Sequence, residues 1–167
     1  MRTQTLAAGV LAAALVLPAA HAAAHASTLG SNQTDRADRG ASVKPRSNAW
    51  EAKVLNLTNA RRAAHGRKAL KASHCADTLA ERWTKHMATK KVLKHQSLDP
   101  FFDCPHTTSA GENIAYGFDT PRALVSAWMH SEGHRANILS RHFNRIGVSG
   151  WRASNGVTYA TQDFLGG

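Results

Sequence analysis

The spacing of large apolar residues changes once along this chain, and that change limits what it can fold into. Trp50, Val54, Leu57 and Ala60 recur every three or four positions, the spacing of one helix face. Ser47 or Asn48 is positioned to cap that helix, and His65-Gly66 to end it near Ala64, because glycine takes the left-handed closing conformation without strain. Ser73 opens a second helix whose stripe is Ala76, Leu79, Ala80, Trp83 and Met87, with Lys90 and Lys91 at its negative end. Residues 95–111 read as a loop around Pro100, Cys104 and Pro105. Thr120-Pro121 starts a third helix that buries Leu124, Val125, Trp128 and Met129. Gly133 interrupts it, and a short helix runs on through Leu139. After that the period becomes two. Ile146, Val148 and Gly150, then Val157, Tyr159 and Thr161, flank Ser154-Asn155-Gly156 and read as two strands joined by a hairpin. Helices first and strands last predict an α+β domain, with helices packed on a small, mostly antiparallel sheet.

The first 46 residues carry neither period. Arg2, the apolar run from Leu6 to Leu17 and the small residues after Pro18 form a secretory leader over residues 1–26. Ala20-His21-Ala22 and Ala24-His25-Ala26 both suit cleavage, after Ala22 or Ala26. The apolar run is short for a membrane span, so the alternative of an uncleaved anchor is disfavoured. Residues 27–46 have only Leu29 and Val43 as large apolar side chains, too little to offset the entropy of ordering, and read as a flexible linker. The compact domain is therefore expected over residues 47–167, secreted and without a transmembrane span once mature.

Export bears on the cysteines. Cys75 and Cys104 are the two present, and an oxidising compartment favours their pairing over two free thiols. The balance of 21 Lys and Arg against 11 Asp and Glu, a formal +10, suits anionic partners such as wall polymers, lipid headgroups or nucleic acid, and equally well solubility alone. No zinc-finger spacing, RNA-binding aromatic box or long basic run is present, which argues against specific nucleic-acid readout.

Candidate chemistry falls on His95, Glu112 and His134, each in a turn-like or glycine-flanked place. Two neutral imidazoles and a carboxylate can hold a divalent metal such as zinc or serve as general acid and base. Sharper motifs fail. In His130-Ser131-Glu132-Gly133-His134 the glutamate stands one place late for a zinc-protease helix. In Gly147-Val148-Ser149-Gly150-Trp151 a tryptophan replaces the second glycine of a nucleophile elbow. Asn56-Leu57-Thr58 is a formal glycosylation sequon inside a predicted helix and is read as helix sequence.

Taken in order, several motifs resemble one family. They are Leu57-Thr58-Asn59-Ala60-Arg61-Arg62, then Leu79-Ala80 with Trp83, Met87 and His95, then Gly111-Glu112-Asn113-Ile114. Trp128-Met129 with Ser131, Gly133-His134-Arg135 and Asn137-Ile138-Leu139 follows, and Ile146-Gly147-Val148 and Tyr159-Ala160-Thr161-Gln162-Asp163-Phe164 close the series. The series is similar to bacterial members of the CAP superfamily (cysteine-rich secretory proteins, antigen 5 and pathogenesis-related 1 proteins; the SCP domain) over roughly residues 48–165. The resemblance implies a three-layer α-β-α sandwich, with a strand near residues 112–116, and a cleft holding two histidines and two acids. His95 and His134 would be the histidines, as metal ligands, and Glu112 the first acid, as a candidate catalytic group. The second acid's usual place is Ser131 here, which weakens a two-acid hydrolysis. No single activity defines the family. The reading is an extracellular binding module for a divalent metal, a lipid, a peptide or an anionic wall ligand. A secreted metal-assisted hydrolase, with Glu112 as base, and a purely structural His/Glu cluster are the rivals.

Overall fold

The computed structural model describes residues 42–167 and the backbone of Thr3 and Gln4. Apart from Thr3 and Gln4, the expected leader lies outside the described residues, as does most of the linker. Ten elements follow in chain order: β1 (Thr3–Gln4), β2 (Lys44–Pro45), α1 (Asn48–Ala64), β3 (Lys71–Ala72), α2 (His74–Lys90), β4 (Ser109–Tyr116), α3 (Pro121–His130), α4 (Glu132–Leu139), β5 (Arg145–Arg152) and β6 (Thr158–Gly166). A 3-10 turn occupies Asp99–Asp103. The sheet order is β1-β4-β6-β5-β2, with β3 also against β5. β6 is central and antiparallel to both long neighbours, while β1 and β3 add two-residue parallel pairings.

Three of the four helices start where the sequence places their caps. Ser47, Ser73 and Thr120 accept from the backbone N–H groups of Trp50, Ala76 and Ala123, a contribution of about 1 kcal/mol each. The third helix breaks at Ser131, whose backbone is extended (φ −100°, ψ 123°), and not at Gly133, which lies inside α4. Glycine costs a helix interior only about 1 kcal/mol, less than an extended residue does by ending the hydrogen-bond ladder. β6 runs five residues beyond the predicted Thr161, and β4 begins three residues before the predicted Glu112.

Alternation along the strands builds the layers. On one face Ile146, Val148, Ala160 and Phe164 pack with Trp50 and Val54 of α1, Leu124 and Trp128 of α3 and Ile138 of α4. On the other face Ala110 and Leu165 meet Ala76 and Leu79 of α2, with Leu98 and Phe101 from the following loop. The result is an α-β-α sandwich. α2 lies close to β5: a Cβ on Gly147 would sit 2.1 Å from the Ala76 carbonyl carbon. The disulfide Cys75–Cys104 ties the start of α2 to the end of the 3-10 turn. Among the described residues no helix is long and apolar enough to cross a membrane.

Two polar devices set the helices against the sheet. Arg62, 2% exposed, donates to the carbonyls of Lys68, Ile138, Ser140 and Phe143, joining α1 to the end of α4. A buried chain runs from α1 to α4 across the sheet. Gln162 Nε2 donates to Thr58 Oγ1 (2.7 Å), Asn113 Nδ2 to Gln162 Oε1 (3.2 Å), and Asn137 Nδ2 to Asn113 Oδ1 (3.0 Å). On β5, Asp77 Oδ1 accepts from Val148 N and Glu51 Oε1 from Gly150 N, each at 3.0 Å.

Candidate functional site

The loop after α2 carries His95, and three features hold that loop. Lys91 closes the helix in the left-handed conformation (φ 56°) and turns the chain. Trp83 Nε1 donates to the Lys94 carbonyl (2.7 Å). Leu98 is buried beside Phe101. His95 and Gln96 are thereby set over the α2 face of β4 and β6.

Glu112 of β4 lies beneath. His95 Nδ1 lies 2.6 Å from Glu112 Oε1. An ionised carboxylate only accepts, so the Nδ1 carries the hydrogen of this contact. Gln96 supports the same carboxylate twice, through its backbone N–H to Oε1 (3.3 Å) and its Nε2 to Oε2 (2.8 Å). The His95 side chain is 42% exposed and that of Glu112 1%.

A second acid stands beside the first. Asp163 of β6 is the Cα partner of Glu112, and paired positions of an antiparallel sheet place their side chains on the same face, about 4.5–5.5 Å apart at Cβ. Asp163 is fully buried, and Gln96 Nε2 reaches its carboxylate at 3.1 and 3.3 Å. Burial pushes the Asp163 pKa well above the usual carboxylate range, the negative charge of Glu112 adds to that, and the Gln96 hydrogen bond opposes it. Two adjacent buried carboxylates do not both ionise readily, and at Asp163 burial favours the protonated form.

His134 comes from the opposite layer, on α4. It is half-buried, and its pKa is lowered first by burial and then by the positive charge of His95. Its neutral imidazole is therefore the favoured form near neutral pH. Asn113 Nδ2 donates to the His134 carbonyl (3.1 Å) and Asn137 Nδ2 to the Glu112 carbonyl (3.0 Å), which lock α4 against β4. Gly111 is required there, since a Cβ would come within 2.8 Å of the Phe143 ring and 3.1 Å of Asn137 Oδ1.

The structure thus brings His95 and Glu112 into contact and sets His134 within electrostatic reach of His95. Ser131 stands at the α3–α4 junction, with no side-chain capping bond and none to His95, Glu112 or His134 among the described residues. Glu132 opens α4 and is exposed. Gln96 and Asp163 belong to the site although the motifs assign neither to it. Asp163 had a signal: it shares the inward face of its strand with Thr161 and Leu165, where an acid is out of place unless paired. Gln96 had none.

A metal fits this site only in part. His95 Nε2 and the His134 ring are available donors, while both Glu112 oxygens are already engaged. No group of three or more His, Cys, Asp or Glu positioned to hold a metal occurs among the described residues. Two imidazoles suit an open site completed by water or ligand groups, and do not make a closed structural one.

The family model of the cysteine-rich secretory protein family (CAP) matches residues 55–164. The uncharacterized protein YkwD of Bacillus subtilis is 40% identical over 127 residues, covering 71% of this chain and 48% of that protein. The chain thus spans about half the length of this curated relative. An extracellular protein containing an SCP domain from Bacillus anthracis has a similar structure: TM-score 0.62, 26% identity, 72% of this chain and 41% of that one. An outer surface protein of Borrelia burgdorferi shares the fold at TM-score 0.66 with 12% identity, over 73% of this chain and 96% of its own.

Proposed function

The chain belongs to the cysteine-rich secretory protein (CAP) family, and we propose that it is an extracellular binding module. In this reading His95 and His134 receive the ligand over a buried carboxylate floor. One observation carries the reading: the exposed chemistry is imidazole, and the carboxylates lie under it, Glu112 1% exposed and Asp163 0%. A base that takes a proton from water in a cleft must reach that water at hydrogen-bond distance. Glu112 instead spends its oxygens on His95 and Gln96. This favours binding over metal-assisted hydrolysis with Glu112 as base.

The site's own residues suit a divalent ion such as zinc in a defined way. Glu112 holds the His95 ring by Nδ1, the arrangement that fixes the tautomer and raises the basicity of a metal-ligating histidine. His95 Nε2 and His134 would be the protein ligands. Bound there, the ion would supply Lewis-acid affinity for an oxygen of a peptide, a lipid headgroup or an anionic wall fragment. The extracellular and outer-surface descriptions of similar structures support export.

The deciding experiment is calorimetric zinc titration of the chelator-stripped protein beside His95→Ala and His134→Ala. Binding in the parent, lost in both folded variants, is the expected result. Absence of binding in the parent would sink the metal reading, and retained binding in both variants would move it elsewhere on the surface.

A further inference from the structure

A concavity sharing no residue with the His95 cluster opens where the end of α1, the following turn and the α4–β5 connection meet. Its volume is about 810 Å³, and its wall includes Arg62, Arg67, Lys68, Lys71, Arg141 and Arg145 together with Gly167, whose main-chain oxygen accepts from Asn144 Nδ2, and no Asp or Glu. That volume is in the range of small-molecule sites. Among the described residues the ion pairs are His95–Glu112 and Arg152–Asp119, so none of these six cations is neutralised there.

How the six are held matters as much as their number. Arg62 is spent on carbonyls, as described above. Arg67 Nε donates to the Leu139 carbonyl (2.8 Å), leaving both Nη groups without a partner among the described residues. Arg145 is fixed by the carbonyls of Pro105 and His106 and by Thr107 Oγ1. Neutral acceptors orient a guanidinium and leave its charge in place. Lys68, Lys71 and Arg141 are exposed at the rim. Burial and the charge of Arg67 both disfavour the charged form of Arg62, as expected where cations crowd without counter-charge.

Oriented guanidinium forks match the oxygens of phosphate in paired hydrogen bonds. A phosphoryl group brings up to two charges and three acceptor oxygens, more per volume than a carboxylate. A concave cleft admits an inserted group, whereas a membrane surface presents itself to flat or convex faces. We propose that this cleft binds a compact anion carrying two or more phosphates.

The test is calorimetric titration of the protein with tripolyphosphate at low ionic strength, where surface charges are least screened. Two double variants are compared: Lys71→Glu with Arg141→Glu in the cleft, and Lys53→Glu with Arg122→Glu at exposed positions outside it. Both remove the same charge from exposed side chains. The parent is expected to bind, the cleft pair to weaken binding at least tenfold, and the outside pair no more than threefold. No binding by the parent overturns the proposal. Equal weakening by both pairs overturns it too, because the attraction is then diffuse. Binding to phosphatidylglycerol vesicles without binding of tripolyphosphate would assign the charge to a membrane surface instead, and would also overturn it.

Discussion

Glu112 and Asp163 face each other across β4 and β6, and one residue, Gln96, donates to both. Through Gln96 the pair anchors the His95 loop to the sheet.

Replacing Asp163 by Asn should stabilise the protein in alkali. A raised folded-state pKa means that the stability Asp163 contributes is fully present below its unfolded pKa and is lost as pH rises through the folded value. Asp163→Asn removes that loss. A melting temperature several degrees above the parent at pH 9, converging with it near pH 3, is expected for a gain of about 1 kcal/mol.

His134 titrates with the opposite sign. Its lowered pKa means that its contribution is present above the ordinary histidine value and is lost as pH falls toward the folded one. His134→Gln should therefore flatten the stability profile on the acid side of pH 6.5 or so. An unchanged slope there would contradict the burial of this ring.

Glu112→Gln keeps the shape of the floor and removes its charge. The charge-assisted bond to His95 is lost, at a cost of about 1.5–3 kcal/mol. Nitrogen NMR of the imidazole should show the Nδ1-protonated tautomer in the parent and a mixture in the variant. If zinc binds, its affinity should fall about 10–100-fold.

Gly147→Ala tests the closeness of α2. The new Cβ would meet the Ala76 backbone, 2.1 Å from its carbonyl carbon and 2.3 Å from its oxygen, atoms that cannot swing aside. A loss of about 3 kcal/mol or more is expected by denaturant titration. A neutral outcome would mean that α2 can lift off β5.

Reduction of the Cys75–Cys104 bond, with a sequence separation of 29, should lower stability by roughly 3–4 kcal/mol in the chain-entropy model. Amide exchange should quicken first in the 3-10 turn that the bond anchors.

Much of this architecture is legible along the chain because helix capping and apolar period act locally. Ser47, Ser73 and Thr120 cap as their positions imply, and Cys75 pairs with Cys104. The break at Ser131 is not legible, since it answers to the packing of α3 and α4 and not to any breaker residue. Nor is the partnership of Glu112 with Asp163, which depends on the register of strands separated by two helices and β5. Gly111 and Asn113 read as a motif beside Glu112. Only the structure gives the reasons: one makes room for Phe143 and Asn137, and the other secures α4.

The two carboxylates on β5 also bear on self-association. Between the short pairings with β2 and β3, the outward amides of Val148 and Gly150 are already taken by Asp77 and Glu51. An incoming strand would have to displace both acids before it could add to the sheet. The molecule can therefore be packed at high concentration with this flank closed to edge-to-edge polymerisation. Burial raises the pKa of both Glu51 and Asp77, so acid weakens that protection first at the flank where two side chains, not a strand, finish the sheet.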